Sequence, residues 1–426
     1  MKKYHIISMV GREIAGYHTS LHIGFDQLGQ DNHFFFERSH DFYKYKKRRI
    51  WIEKLITGLN DFIFKSNRSF EMKIIYFGLV YPFVYMLKIA LFPYFLMKYN
   101  VFIYSTNYSF LGLFLDRWIL KLCGKTTIDI VTGSDVRPPY LNGKFLDLDS
   151  QKMYYVSLFK KIIVRMKIKP TTHLIDHVTV SHFNNRDYIP YLYVGFPFFI
   201  PPQKNVKESS RPLILHAPSD PRVKGTDIIR DSINELKDDH DFDYEELMNV
   251  PHATVLEKIQ QCHFVINEMY SDTLMSGLDT EAAWFAKPSI VGGYDLKQVE
   301  DSVNDYDVAP TYRIKPSKEN LKKAIIHLLE DNNYRQELGE TAQEFVQENW
   351  SSRSVAQKYL DIINGDIPDH IIRSPCNDYD IYGGGIRSNI RKKNIVYMVE
   401  KYGMKSLCLD DKPELKNKIL QDCDLL

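Results

Sequence analysis

The chain reads as an α/β protein of two doubly wound units facing each other across a cleft. Two observations predict this. Short apolar strands alternate with segments of helical periodicity, and the alternation halts at a proline-rich stretch and then begins again. The length agrees, because 426 residues exceed one ordinary core and suit two of about 150 to 200 residues.

The first unit, 1–195, opens with a strand at His5–Met9 and a glycine-bearing loop. A helix follows with Leu21, Phe25 and Leu28 on one face and stops at Gly29. Strands are expected at Asn32–Glu37, Val101–Tyr104, Thr126–Val131, His177–Val180 and Leu192–Val194, with a helix over Leu111–Cys123 that Gly124 ends. Residues 196–212, FPFFIPPQKNVKESSRP, change from proline-rich to charged and mark a linker. In the second unit, 213–365, strands are expected at Leu213–Ala217, His263–Asn267 and Ser289–Val291. Helices are expected at Thr226–Leu236, Val255–Gln261 and Leu278–Ala286, and three more follow from Leu321 to Ile363. Residues 366–426 form a tail with Gly383-Gly384-Gly385, a basic patch (Arg387, Arg391, Lys392, Lys393) and two short helical patterns. It either docks on the first unit or reaches a partner.

A net charge of +1 argues against a dedicated nucleic-acid binder, whose phosphate partner demands a basic surplus. The five cysteines (Cys123, Cys262, Cys376, Cys408, Cys423) show no CxxC pair and suit reduced thiols in a cytoplasmic protein. Ser8 and Gly11-Arg12-Glu13 interrupt the first apolar run, so it reads as a strand rather than a signal peptide.

The segment 38–97 departs from this even composition. Arg38 to Lys73 holds ten Lys/Arg against four Asp/Glu, with Lys44, Lys46, Lys47, Arg48 and Arg49 among Tyr43, Tyr45 and Trp51. Ile74 to Met97 is then almost wholly apolar, broken by Lys88, Pro82 and Pro93. That is long enough to span a membrane, but a mid-run lysine is costly in hydrocarbon. In-plane attachment to an anionic membrane surface is the favoured expectation, ahead of a buried helix pair and of a true span.

Two turns in the second unit carry chemistry. In His216-Ala-Pro-Ser219-Asp-Pro-Arg222-Val-Lys224-Gly225-Thr226, two cations precede a helix start, whose free N–H groups and dipole favour a pyrophosphate. The plainer reading is a capped helix start. In the second, a loop enters a helix at Ser276-Gly277, and Glu281 lies in its first turns beside Ala282 and Ala283. A carboxylate there can accept from two vicinal ribose hydroxyls; alternatively, it only complements the helix dipole.

Together these segments resemble the donor half of retaining glycosyltransferases of the two-Rossmann (GT-B) type, specifically family 4. That family has a Lys-Gly pair opening the first helix of its second domain, here Lys224-Gly225. Its Glu-Ala segment ending in Pro, which carries the ribose glutamate, is here Glu281-Ala282 through Lys287-Pro288. Gly133-Ser-Asp135-Val-Arg137 is similar to a Gly-Ser-Asp-x-Arg turn in relatives acting on polysaccharides. Two positions depart from the family. Thr273 stands where its second glutamate, eight before Glu281, belongs, and Ser219 stands for a phosphate-contacting arginine that Arg222 is placed to replace.

The resemblance implies transfer of a sugar from a nucleotide-sugar donor, UDP-linked, to a cell-surface glycan or lipid-linked acceptor, retaining and without a metal. Ser219, Arg222, Lys224, Gly225, Ser276, Gly277 and Glu281 would bind the donor, with Asp135 and Glu281 at the reacting centre. Gly11, Arg12 and Arg137 would face the acceptor, unless Asp135 caps a turn and Arg137 pairs with it. Asp147-Leu-Asp149 is too weakly placed for a metal pair. The expected location is the cytoplasm, peripheral at the inner face of the cell membrane. An inactive scaffold on the same fold, which Thr273 favours, and a sugar-nucleotide epimerase are the rivals.

Overall fold

Six parallel strands form the first sheet and five form the second, in a computed structural model that describes all residues except 1–2, 14, 40–48, 65–68, 106, 200–208, 304–305 and 376–379. In the first, β1 (His5–Val10), β2 (Asp31–Phe36), β3 (Val101–Ser105), β4 (Thr126–Ile130), β5 (His173–Asp176) and β6 (Ile189–Pro190) lie in the order β2-β1-β3-β4-β5-β6. In the second, β7 (Leu213–His216), β8 (Asp243–Glu246), β9 (Phe264–Glu268), β10 (Ser289–Gly292) and β11 (Tyr312–Ile314) are ordered β11-β10-β9-β7-β8. Alternate strand residues serve opposite faces. Ile6 and Ile103 join one core, while Ile7 and Phe102 join a second core beneath the helix Phe70–Lys98. This is the two-domain α/β architecture the alternation predicts.

Several elements differ from expectation for local physical reasons. The run Thr172–Val180 offers apolar residues on both sides of Asp176-His177, and pairing of Ile128 with His173 settles the strand on the earlier half. The Asp176 carboxylate then accepts from the His177 N–H and the Asn184 amide, ending β5. Tyr191–Val194 is a short helix, not a strand. The helix expected from Leu111 starts at Leu115, because Leu113 and Phe114 turn left-handed. Strand β8, with the sequence DYEE, carries no apolar signal. It sits at the sheet edge with Glu246 bound to Arg230 and Glu245 to Lys258.

The helix Ser352–Asn364 crosses back and lies on the helix Tyr17–Gln27 of the first domain. Gly24 permits the contact, since a Cβ there would fall on the Ser352 carbonyl, and the Tyr17 and Tyr359 hydroxyls meet at 2.8 Å. The start of the linker is packed as well: Phe198 is buried and its N–H donates to Trp350 O.

The tail belongs to the core. Its helices Ser388–Tyr402 and Pro413–Asp422 bury Ile395, Met398, Leu415, Ile419 and Leu420 with the first domain's hydrophobic residues. Tyr140 Oη donates to Leu407 O, and Lys412 Nζ to Ser181 O and Pro375 O. Of the basic patch, Arg391 is fully buried, donating to Ile381 O and paired with Asp422. The apolar run 74–97 is a single helix, not a helix pair, with Pro82 and Pro93 inside it. Of the basic run, Tyr43, Lys44, Tyr45, Lys46, Lys47 and Arg48 lie outside the described residues, as does Cys376. Arg49 stacks on Phe36 at 4.0 Å and donates to Thr57 Oγ1.

Candidate functional site

The carboxyl ends of β7 and β9 carry the donor-side residues. After His216 the chain turns through Pro221–Lys224, capped by Asp220, and Gly225 bends left-handed (φ 71°) into the helix Thr226–Leu236. Only glycine fits there, because a Cβ would meet Met269 and Tyr270 within 3 Å. His216 fixes this helix start. Burial lowers its pKa to about 4, so the ring is neutral: Nδ1–H donates to Ile266 O at 2.7 Å and Nε2 accepts from the Thr226 hydroxyl at 2.8 Å.

Lys224 and Arg222, expected at one pyrophosphate, are separated. Lys224 Nζ lies 3.1 Å from Glu268 at the end of β9. Arg222 is exposed and points toward the other domain, where it holds Asp147 with contacts of 2.7 and 2.8 Å while also meeting Asp220. Ser219 is an exposed bend residue.

The next loop is organised from within. Asn267 Nδ2 donates to Ser276 Oγ and to Asp279, whose carboxylate also accepts the Ser276 N–H. Ser276 and Asp279 thus form a capping box that starts the helix Gly277–Trp284. Burial pushes the Asp279 carboxyl up to about 6. Glu281 is buried in this helix, its Oε1 2.6 Å from His252 Nε2. Its carboxylate therefore has a side-chain partner, and its place in the helix serves more than the dipole. Gly277 faces the Phe196 ring.

On the first domain, Asp135 caps its own turn by accepting from the Thr132 N–H and hydroxyl. Arg137 does not pair with it. The guanidinium is buried, forms an ion pair with Asp272 of the other domain and donates to Gly384 O at 3.3 Å. Burial draws its pKa down to about 10, against the attraction of Asp380 and Glu268, so it stays charged at neutral pH. Asp272, next to Thr273, is thereby committed to the domain contact, and Thr179 Oγ1 donates to its backbone carbonyl. Gly11 lies at the end of β1 against the Tyr108 ring, and Arg12 beside it is exposed.

A feature with only a faint sequence signal lies between the domains. Gly383–Gly385 threads the interface as a strap: Gly384 N–H donates to Leu141 O, Gly143 N–H to Gly384 O, and Gly385 N–H to Tyr270 O. Side chains are excluded. A Cβ on Gly383 would strike Leu141 O, one on Gly384 the Asp272 and Arg137 groups, and one on Gly385 the Val223 side chain. Tyr382 stacks on Tyr294, and Tyr294 on Tyr270, at 5.5 and 6.0 Å. His252, Glu268 and Asp380 are polar residues that pattern reading missed, and Asp272, which it offered as a substitute for the glutamate absent at Thr273, is instead paired with Arg137. Only the glycine run hinted at the strap, since three adjacent glycines mark a close backbone approach. Among the described residues, no three His, Cys, Asp or Glu side chains gather as a metal site.

No family model matches the chain. Over 129 residues it is 29% identical to trehalose synthases of Thermococcus litoralis and Pyrococcus furiosus, a stretch that spans 29% of this chain and 29% of each of theirs. Among solved structures it is similar to Anabaena HepE in complex with UDP-glucose, at 12% identity and a TM-score of 0.49, covering 84% of this chain and 99% of that one. It is also similar to the glycosyltransferase SnogD from Streptomyces nogalater, at 11% identity and a TM-score of 0.42, covering 84% and 99%. TarM aligns at 12% identity and a TM-score of 0.42 over 62% of this chain and 54% of its own.

Proposed function

We propose that the chain is a glycosyltransferase that takes its sugar from a UDP-linked donor bound on the second domain and passes it to a glycan or lipid-linked acceptor in the cleft. The observation that carries this reading is the placement of Lys224 and Glu281 in the segments that follow the neighbouring strands β7 and β9. Each is held by a single partner, Glu268 or His252, and neither is turned to bulk solvent. Ligands of open parallel sheets sit beyond the carboxyl ends of the strands. Lys224 and the N–H groups of the adjoining helix starts would stabilise charge building on the leaving diphosphate, a role that positioned donors perform without a metal. Glu281, fixed by His252, would accept from the ribose hydroxyls. Retention of anomeric configuration and a cytoplasmic, membrane-peripheral location are part of the same reading.

The test is thermal unfolding with nucleoside diphosphates, followed by release of UDP from UDP-sugars with water as acceptor. UDP should raise the unfolding temperature, and an indifferent protein would end the transferase reading. One observation favours the second reading, an inactive scaffold. Asp272, the acid nearest the missing glutamate, is locked to Arg137 beneath the strap. UDP binding without turnover of any UDP-sugar would select it.

A further inference from the structure

Between Lys73 and Lys98 the helix Phe70–Lys98 has one charged side chain, Lys88, and it is turned inward. Lys88 is 1% exposed, with its ammonium 3.1 Å from Glu37 and above the rings of Tyr108 and Phe110. Val84, Leu91, Phe92 and Phe95 share that face and join the core with Ile7, Phe35 and Phe102. The outward face shows Leu79 at 74% exposure, Met86 at 60%, and Ile75, Phe83 and Ile89 about half exposed, without a charge among them. At 29 residues the helix runs about 43 Å, so this apolar strip is as long as a domain edge. Contiguous surfaces of that kind mark a membrane or a protein partner. The inward lysine also argues against a span, since crossing the bilayer would break the Lys88–Glu37 pair and strip Phe92 and Phe95 from the core.

The rim distinguishes lipid from protein. Lys98 lies over the Tyr94 and Tyr99 rings at 5.5 and 5.2 Å, and Lys121 lies 5.8 Å from the ring centre of the part-exposed Trp118. Tyr99 is buried, but Tyr94 and Trp118 are exposed, and two exposed rings at the edge of an apolar face, each with a cation beside it, match the head-group level of an anionic bilayer. The strip also leads somewhere. Phe77, Gly78, Tyr81 and Tyr85 face Leu111 and Leu113 across an apolar groove of about 480 Å³, whose wall is closed by the Tyr85 hydroxyl donating to Leu111 O at 2.6 Å. Leu111 is three residues beyond Tyr108, at most about 11 Å of chain, and the Tyr108 ring rests on Gly11 at the carboxyl end of β1. One short piece of chain therefore joins the groove wall to the residues at the end of β1.

We propose that the outward face of this helix seats in the hydrocarbon of an anionic bilayer and that the groove takes the chain of one lipid, so that the acceptor is lipid-borne and meets the cleft at the membrane surface. Only the word acceptor rests on the transferase reading; the lipid site stands on its own geometry.

The experiment uses the full chain with phosphatidylcholine–phosphatidylglycerol vesicles containing a phosphatidylglycerol photoactivatable in its acyl chain. The parent should float with the vesicles and be labelled within Tyr81–Tyr85 and Leu111–Leu115. Leu79→Glu with Met86→Glu should cut the bound fraction by about tenfold or more with an unchanged unfolding temperature. A Cβ at Gly78 meets nothing within 4 Å, so a side chain can leave the backbone there, and Gly78→Phe is the variant chosen to occupy the groove. That variant should still float but lose the label at Leu111–Leu115. A parent that does not float overturns the proposal, including the case where it forms a dimer that the double glutamate variant dissolves. Flotation without label in the groove overturns the lipid-chain site. No nucleotide is present, so either failure leaves donor binding untouched.

Discussion

The two sheets are built alike, yet the residues at their carboxyl edges are held in opposite ways. On the second domain the proposed donor residues keep partners within the domain: Lys224 with Glu268, Glu281 with His252, Ser276 with Asp279. On the first, Arg137 is tied to Asp272, Asp147 to Arg222 and Thr179 to the Asp272 carbonyl, all across the interface. One edge is therefore a self-contained binding surface that should survive disturbance of the other. The opposite edge is a latch whose polar groups are spent on keeping the domains together.

The largest effect should come from the latch. Removing one member of a buried ion pair leaves the other charge uncompensated, at about 3–5 kcal/mol. Arg137→Leu or Asp272→Ala should lower the unfolding temperature by several degrees, while the affinity for UDP changes by less than about threefold. An equal collapse of UDP binding would show that the donor edge is not independent.

Acid should loosen the fold next. His18, His177 and His182 are lowered to about 3 and His216 to about 4 by burial, so these rings are neutral in the folded chain. Below pH 6.5 the unfolded chain takes up protons that the folded chain refuses. Stability is complete above that value and lost as pH falls toward 4, with His216 alone accounting for about 3 kcal/mol. Asp279 and Asp380, both raised to about 6 by burial, act in the other direction, because the folded chain binds their protons more readily. The histidines outnumber them, so melting temperatures should fall from pH 7 to pH 4. Unfolding scans across that range decide it, and a flat profile would mean the two sets cancel.

Glu281→Ala should weaken UDP about ten- to a hundredfold, the cost of a hydrogen bond to a charged group, and should hardly affect the 2′,3′-dideoxy analogue. Equal affinities for parent and variant would leave the carboxylate as a partner of His252 alone. The finest distinction lies within one turn. Lys224→Ala should weaken UDP more than uridine, whereas Arg222→Ala, whose guanidinium is exposed and points to Asp147, should change neither measurably. Isothermal titration of the four combinations tests this, and a loss at Arg222 would bring its side chain back to the phosphates.

The same contrast governs what pattern reading reaches. The second domain's helices show clean periodicity, as in Ile229, Ile233 and Leu236, and Lys224-Gly225 stands next to a helix start that backbone chemistry makes conspicuous. Its capping box, Ser276 with Asp279, closes within three residues, so short-range sequence carries that helix start, whereas Glu268 and His252 come from distant segments. The pairing of Arg137 with Asp272 joins residues 135 positions apart, and no local pattern encodes it. Lys88 misled for a related reason. In the sequence it interrupts an apolar run, whereas in the fold it faces Glu37 and leaves the outward face without charge. Strand β8 escaped because DYEE owes its place to an edge position and to Arg230 and Lys258, not to apolar alternation.

The strap also sets a schedule. Gly384 closes on Arg137 across 247 positions of chain, so the contact is among the most distant in sequence that the molecule makes. Ribosomes add about 5–20 residues per second, which puts tens of seconds between the emergence of Arg137 and that of its glycine partner. Both sheets can assemble in that interval, but the seam between them stays open. A nascent chain thus carries two sheets that can already be assembled while Arg137 waits for the carbonyl that Gly384 brings with the tail.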